Sequence, residues 1–261
     1  MSFNNVILQD LLSCVQFLSR LPVANALANH DEPDFARSSR MFPLAGLLIT
    51  LPATGVMVLL SLFGLPAMVI AAMVIATQLM VTGALHEDGL ADCADGFGGG
   101  QTVEDKLAIM KDSRIGAFGV AALIMAFVLR FALLVSLINI SLSAAILAYL
   151  AAQMLSRTVQ VYFWHSLPAA RSDGLASTFG QPNEQSIQVA LAVGIISALT
   201  LSFLAFKGGS IFIGLIITLI AFLVFRAVCQ KQIKGQTGDT LGAMQVIAEI
   251  AFLIGLLTFI S

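Results

Sequence analysis

The stretch HEDGLADCADGFGGG, His86 to Gly100, sets Glu87, Asp88, Asp92 and Asp95 into nine residues immediately after a long apolar run. Residues 66–85 carry no charge, so the boundary at His86 reads as the place where a membrane-crossing segment ends in water. The same contrast runs through the whole chain: of 261 residues, 58% are hydrophobic and 11% charged, against roughly a quarter charged in soluble domains. The fold class that follows is all-α, a polytopic integral membrane helix bundle forming one domain over residues 1–261.

Working outward, apolar runs of spanning length lie at 42–62, 66–85, 117–138, 142–163, 187–206, 210–226 and 242–260, seven in all. The 210–226 run is the least secure, being short and joined to its neighbour by only Lys207, Gly208 and Gly209. Ahead of them, Ile7, Leu8, Leu11, Leu12, Val15 and Leu18 recur at helical spacing and are interrupted by Asp10, Ser13 and Gln16. Residues 6–18 are too short and too polar to span, and read as an amphipathic helix on the membrane surface. Pro22 and Pro33 break the polar segment from Arg20 to Arg40 that follows. The N-terminus lacks the pattern of a secretory signal.

Basic residues orient the bundle. Arg20, Arg37, Arg40, Lys106, Lys111, Arg114, Arg171, Arg226, Lys231 and Lys234 fall on one side, ten against the single Lys207 on the other. By the positive-inside rule that side is cytoplasmic, and every polar motif faces it. The localisation expected is a cytoplasmic (inner) membrane with the active site toward the cytoplasm. A net charge of −2 gives no case for a nucleic-acid partner. Cys14, Cys93 and Cys229 have no pair or zinc spacing, and Cys93 reads as a small filler among the carboxylates.

The acidic stretch needs a cation. On a helix continuing the preceding run, Asp88 to Asp92 is an i, i+4 step and Asp92 to Asp95 an i, i+3 step, so the three share a face. Mg²⁺ takes oxygen ligands, usually a few carboxylates completed by substrate phosphates and water. Asp88, Asp92, Asp95 and Glu87 are therefore the expected metal set, opposite a diphosphate; a solvated acidic loop is the plainer alternative. Gly98 to Gly100 reads as a flexible or phosphate-cradling exit. Lys111 and Arg114 offer charge for phosphate, and Asp112 a further oxygen ligand. Arg171 can clamp a phosphate, whereas Tyr162 and Trp164 fit an interfacial aromatic belt. In KGQTGDTLGA, 234–243, Thr237, Gly238, Asp239 and Thr240 open the last span, either as a phosphate-binding helix start or as a glycine-rich turn with a simple cap. Asp239 can complete the metal shell. His86, beside the carboxylates, is a stronger candidate for substrate binding than His30. Arg130, Arg157 and Glu249 lie inside spans, where ionisable groups are expensive and pair or face a polar cavity.

LHEDGLADCADGFGG at 85–99, KLAIMKDSRIGAFG at 106–119, FLSRLPV at 17–23, FPLAGLL at 42–48 and GQTGDTLGA at 235–243 together resemble the cobalamin synthase, or adenosylcobinamide-GDP ribazoletransferase, family. The likeness runs in order from about residue 12 to residue 250. Glu87 stands where members more often carry leucine, and AARSDGLAS at 169–177 lacks the tyrosine and second glycine usual there. The resemblance implies a Mg²⁺-dependent transferase that joins adenosylcobinamide-GDP to alpha-ribazole or its 5'-phosphate and releases GMP. It implies Asp88 and Asp92 as metal ligands, Asp95 as ligand or base, and Lys111 and Arg114 as charge stabilisers. The lipid bilayer is an expected partner and a homo-oligomer is left open. Rivals are a CDP-alcohol phosphotransferase, whose Ala-Arg pair and longer aspartate spacing are missing, a prenyltransferase, and a transporter built on Arg130, Arg157 and Glu249.

Overall fold

The computed structural model describes residues 3–23, 34–172, 174 and 178–258; His30, Pro33 and Asp173 lie outside them. Among the described residues the chain is helical throughout, with only an isolated bridge between Ala169 and Gln236. The helices are α1 (Phe3–Leu18), a single turn α2 (Phe35–Ser38), α3 (Phe42–Leu62), α4 (Ala67–Thr82), α5 (Leu85–Gly99), α6 (Val103–Lys111), α7 (Ala117–Ile140), α8 (Leu142–Ser166), α9 (Glu184–Phe203), α10 (Gly208–Ile233) and α11 (Gly238–Leu256).

Among the described residues six helices are long and apolar enough to cross a membrane, and the bent pair α4–α5 makes a seventh crossing if taken as one span. Short links after α3, α7 and α9 leave neighbours antiparallel, so the starts of α3, α7, α9 and α11 gather at one end of the bundle. α11 is its centre, packed against α5, α8 and α10, while α10 turns most of its surface outward. Phe212, Leu219, Ile220, Leu223 and Val224 on α10 and Ile124, Met125 and Val128 on α7 are exposed. An uncovered apolar belt of this extent is the surface a bilayer covers.

Several expectations are corrected. The 210–226 run is part of a 26-residue helix: α10 continues two turns past Arg226, where Cys229 and Ile233 are buried. The last span starts at Gly238, so the glycine-rich loop supplies its first turn. The apolar face of α1 rests on protein: Cys14, Val15 and Leu18 are buried against the bundle. Asp10 is buried on the same helix, its carboxylate accepting from Arg37 (2.9 Å), Ser38 Oγ (2.8 Å) and Arg40 (2.7 Å). Burial pushes that carboxyl up, but these donors outweigh it and hold it below its ordinary value.

Candidate functional site

The acidic helix does not continue the preceding span. Gly83 and Ala84 both adopt left-handed backbone (φ 65° and 59°), and α5 leaves α4 at 89°. It therefore lies across the end of the bundle where α7 and α11 begin. A Cβ on Gly89 would come within 2.6 Å of the Asp239 carbonyl oxygen, and one on Gly242 within 3.2 Å of His86. These two glycines let α5 and the first turn of α11 touch backbone to backbone.

That placement sorts the four carboxylates. Asp95 is 8% exposed and accepts backbone N–H bonds from Gly116 (2.6 Å) and Gly119 (2.8 Å), which satisfies the start of α7. Glu87 is buried and receives Arg130, whose other nitrogen donates to Glu249. Gln245 joins Glu249 to Ser156, and Arg157, equally buried, donates to Gln153. The intramembrane charges read from the sequence are thus paired or hydrogen-bonded within the bundle.

Asp88 and Asp92 face outward. Both line a cavity of about 470 Å³ together with Glu87, Lys111, Asp112 and Ser113, so Glu87 borders the same space while bound to Arg130. Asp92 feels the charges of Asp88, Asp239 and Asp95 and, with opposite sign, of Arg171. Arg114 is not among the cavity's lining residues: it is mostly exposed and grips Asp112 at 2.6 Å, whose carboxyl its hydrogen bonds pull down to about 2. Across Gly89, Arg171 approaches Asp239 at 3.4 Å, while its Nε and Nη1 are enclosed without an acceptor among the described residues. Thr237 caps α11 in a reciprocal box with Thr240, and its hydroxyl also donates to Asp239 (3.2 Å). A Cβ on Gly238 would meet nothing within 4 Å, so the chain at this helix start borders open space.

Among the described residues no three His, Cys, Asp or Glu side chains converge tightly enough to enclose a metal by themselves. Four carboxylates, Glu87, Asp88, Asp92 and Asp112, line the open cavity, and such an oxygen-rich edge suits Mg²⁺, which keeps water and takes phosphate oxygens. Of the Gly98 to Gly100 run, a Cβ on Gly98 would strike Phe118 and one on Gly100 the Lys106 backbone, so these two glycines allow close packing. Trp164 does not sit in an interfacial belt; it is 2% exposed beside Phe42, and with Gln160 lines a pocket on the far side of Asp88. Sequence reasoning missed Gln160, Phe17, Phe42 and Phe179, because nothing local marks residues that meet only through packing.

The motifs and their geometry agree with what comparison with known proteins finds. The family model described as cobalamin-5-phosphate synthase matches residues 10–257. The chain belongs to that family. A protein named adenosylcobinamide-GDP ribazoletransferase from Rhizobium etli is 46% identical over 252 residues, 95% of this chain and 96% of its own length. Ones of the same name from a Sinorhizobium species and from Azorhizobium caulinodans are 42% and 39% identical, each alignment covering 97% of both chains. No solved structure matches. Family membership thus extends over nearly the whole bundle, α1 and α11 included.

Proposed function

We propose that this chain is an adenosylcobinamide-GDP ribazoletransferase of a cytoplasmic membrane, acting at the cytoplasmic face with Mg²⁺. Its relatives' name supplies the two substrates, adenosylcobinamide-GDP and a ribazole. In the transfer a ribose-borne hydroxyl oxygen bonds to the phosphorus on the cobinamide arm, the bond from that phosphorus to the GMP oxygen breaks, and GMP departs with the electron pair. The hydroxyl proton is taken up within the carboxylate cluster. Such a reaction is accelerated mainly by alignment and by neutralising phosphate charge.

The observation that carries the reading is that Asp88 and Asp92 share one cavity with Lys111, while Arg171 and the start of α11 stand just across Gly89. Asp88 and Asp92 would hold Mg²⁺, which when bound supplies positive charge to the diphosphate. Lys111 adds charge at the cavity wall, and Arg171 directs its enclosed nitrogens toward a phosphate. Thr237 and Thr240 keep the first turn of α11 formed, and Gly238 leaves room for the nucleotide beside it. Glu87 and Asp95 enter as positioning residues that set α5 against α7 and α11. Arg114 acts through Asp112 at the rim.

Purified protein in detergent, given adenosylcobinamide-GDP, alpha-ribazole and Mg²⁺, is expected to release GMP in step with cobalamin formation. Absence of GMP at saturating substrates, with the protein folded, rejects the assignment. Replacing Mg²⁺ by a chelator should stop turnover and leave the fold intact.

A further inference from the structure

A second cavity, of about 100 Å³, lies on the other side of Asp88, which lines both. Its walls are aromatic: Phe17 from the end of α1, Phe42 from the start of α3, Trp164 near the end of α8 and Phe179 from the loop after it. Ring centroids are 6.4 Å apart for Phe17 and Phe42, 6.3 Å for Phe42 and Trp164, and 5.7 Å for Phe17 and Phe179. An apolar slot of this kind needs no polar atoms for packing. Three of its lining side chains nevertheless carry a buried polar atom without a partner among the described residues: His86 Nε2, Gln160 Oε1 and Trp164 Nε1. The three side chains are 2%, 5% and 2% exposed. Buried polar atoms are almost always hydrogen-bonded, and three orphans around one cavity mark a ligand that brings the missing donors and acceptors.

We propose that this slot binds the guanine base of the nucleotide that the transfer releases. Guanine is flat enough to lie against this aromatic wall, and its edge offers what the orphans lack. Its ring and amino N–H groups suit Gln160 Oε1, and its carbonyl oxygen accepts from Trp164 Nε1–H. The benzimidazole ring of ribazole would stack equally well, but it presents methyl groups and one free ring nitrogen and leaves most of the orphans unpaired. Asp88, belonging to both cavities, places the base on one side of the carboxylates and the scissile diphosphate on the other. The assignment rests on the proposed function for its choice of nucleotide, while the slot itself rests on the geometry.

Trp164 is the only tryptophan in the chain, so its emission reports on the slot directly. Protein in lipid nanodiscs is titrated with GMP, AMP and alpha-ribazole. GMP should quench Trp164, AMP should need on the order of tenfold more, and alpha-ribazole should leave the signal unchanged. Gln160→Leu should weaken GMP quenching by on the order of tenfold and raise KM for adenosylcobinamide-GDP more than it lowers kcat. If that variant does not fold, Phe179→Ala, on a loop outside the spans, tests the wall by the same readout. Quenching by alpha-ribazole and not by GMP overturns the guanine assignment. Normal GMP release without quenching by any of the three overturns the slot as a base site and leaves the proposed function standing. Quenching by GMP in a protein without transferase activity supports the slot and rejects the proposed function.

Discussion

Asp88 is exposed while Asp95, two turns along the same helix, is buried, and the roles proposed for them follow that difference. Asp88→Asn keeps the shape and removes a charge from the cavity, so turnover should fall by at least about a hundredfold with insertion and thermal stability unchanged. GMP release beside a melting curve decides it; retained activity removes Asp88 from the site. The buried triad separates in the opposite direction. Arg130→Met leaves Glu87 and Glu249 enclosed without their cation, and should cost about 3–5 kcal/mol. Glu87→Leu leaves Arg130 still bound to Glu249 and should cost far less, so unfolding in detergent should rank Arg130→Met well below Glu87→Leu. Equal stability of the two would mean that the triad does not hold the bundle together.

At the scale of elements, the site depends on one break and one clasp. Ala84 holds a left-handed backbone that costs an L-residue about 1–2 kcal/mol. Ala84→Gly should therefore raise the melting temperature or leave it unchanged, whereas Gly83→Val, at φ 65° against the Arg20 side chain, should disorder α5 and abolish turnover. The clasp is Asp10 with Arg37, Ser38 and Arg40, which ties α1 to the start of α3 and so positions Phe17 beside Phe42. Because the carboxyl is depressed in the fold, its contribution is complete above the unfolded value and disappears as pH falls through the folded one. Asp10→Asn should thus melt earlier than the parent at pH 7, and the gap should close below about pH 4. A gap that persists in acid would show that packing, and not the charge, fastens α1.

For the molecule as a whole, the proposed orientation is open to chemical labelling. Cys14, Cys93 and Cys229 are all buried, so the chain offers little background to a membrane-impermeant maleimide. A cysteine at exposed Ser113 should react only in inside-out vesicles, and one at Phe63, at the opposite end of the bundle, only in right-side-out cells. The reverse pattern would put the carboxylates outside the cell and sink the cytoplasmic assignment. Much of this was legible without coordinates, since hydrophobic runs of spanning length and lopsided basic residues are local signals. The bend before α5 was not: Gly83 alone is an ordinary helix stop, and only the packing of Gly89 on Asp239 and Gly242 on His86 decides the direction of the next helix.

The amino-acid sequence alone determined an all-helical membrane bundle, the concentration of its chemistry at one end, and the motif set that marks its family. It could do so because hydropathy, charge asymmetry and residue spacing are written along the chain. Which carboxylates face the cavity, and that Phe17, Phe42, Gln160 and Trp164 wall a slot beside them, was decided only in three dimensions. Four acidic residues on one short helix look alike until α7 claims Asp95 through two backbone N–H groups and Arg130 claims Glu87. The proposal that Asp88 and Asp92 serve a ligand follows from the hydrogen-bonding appetite of the buried donors that engage the other two, and that appetite depends on which helices meet.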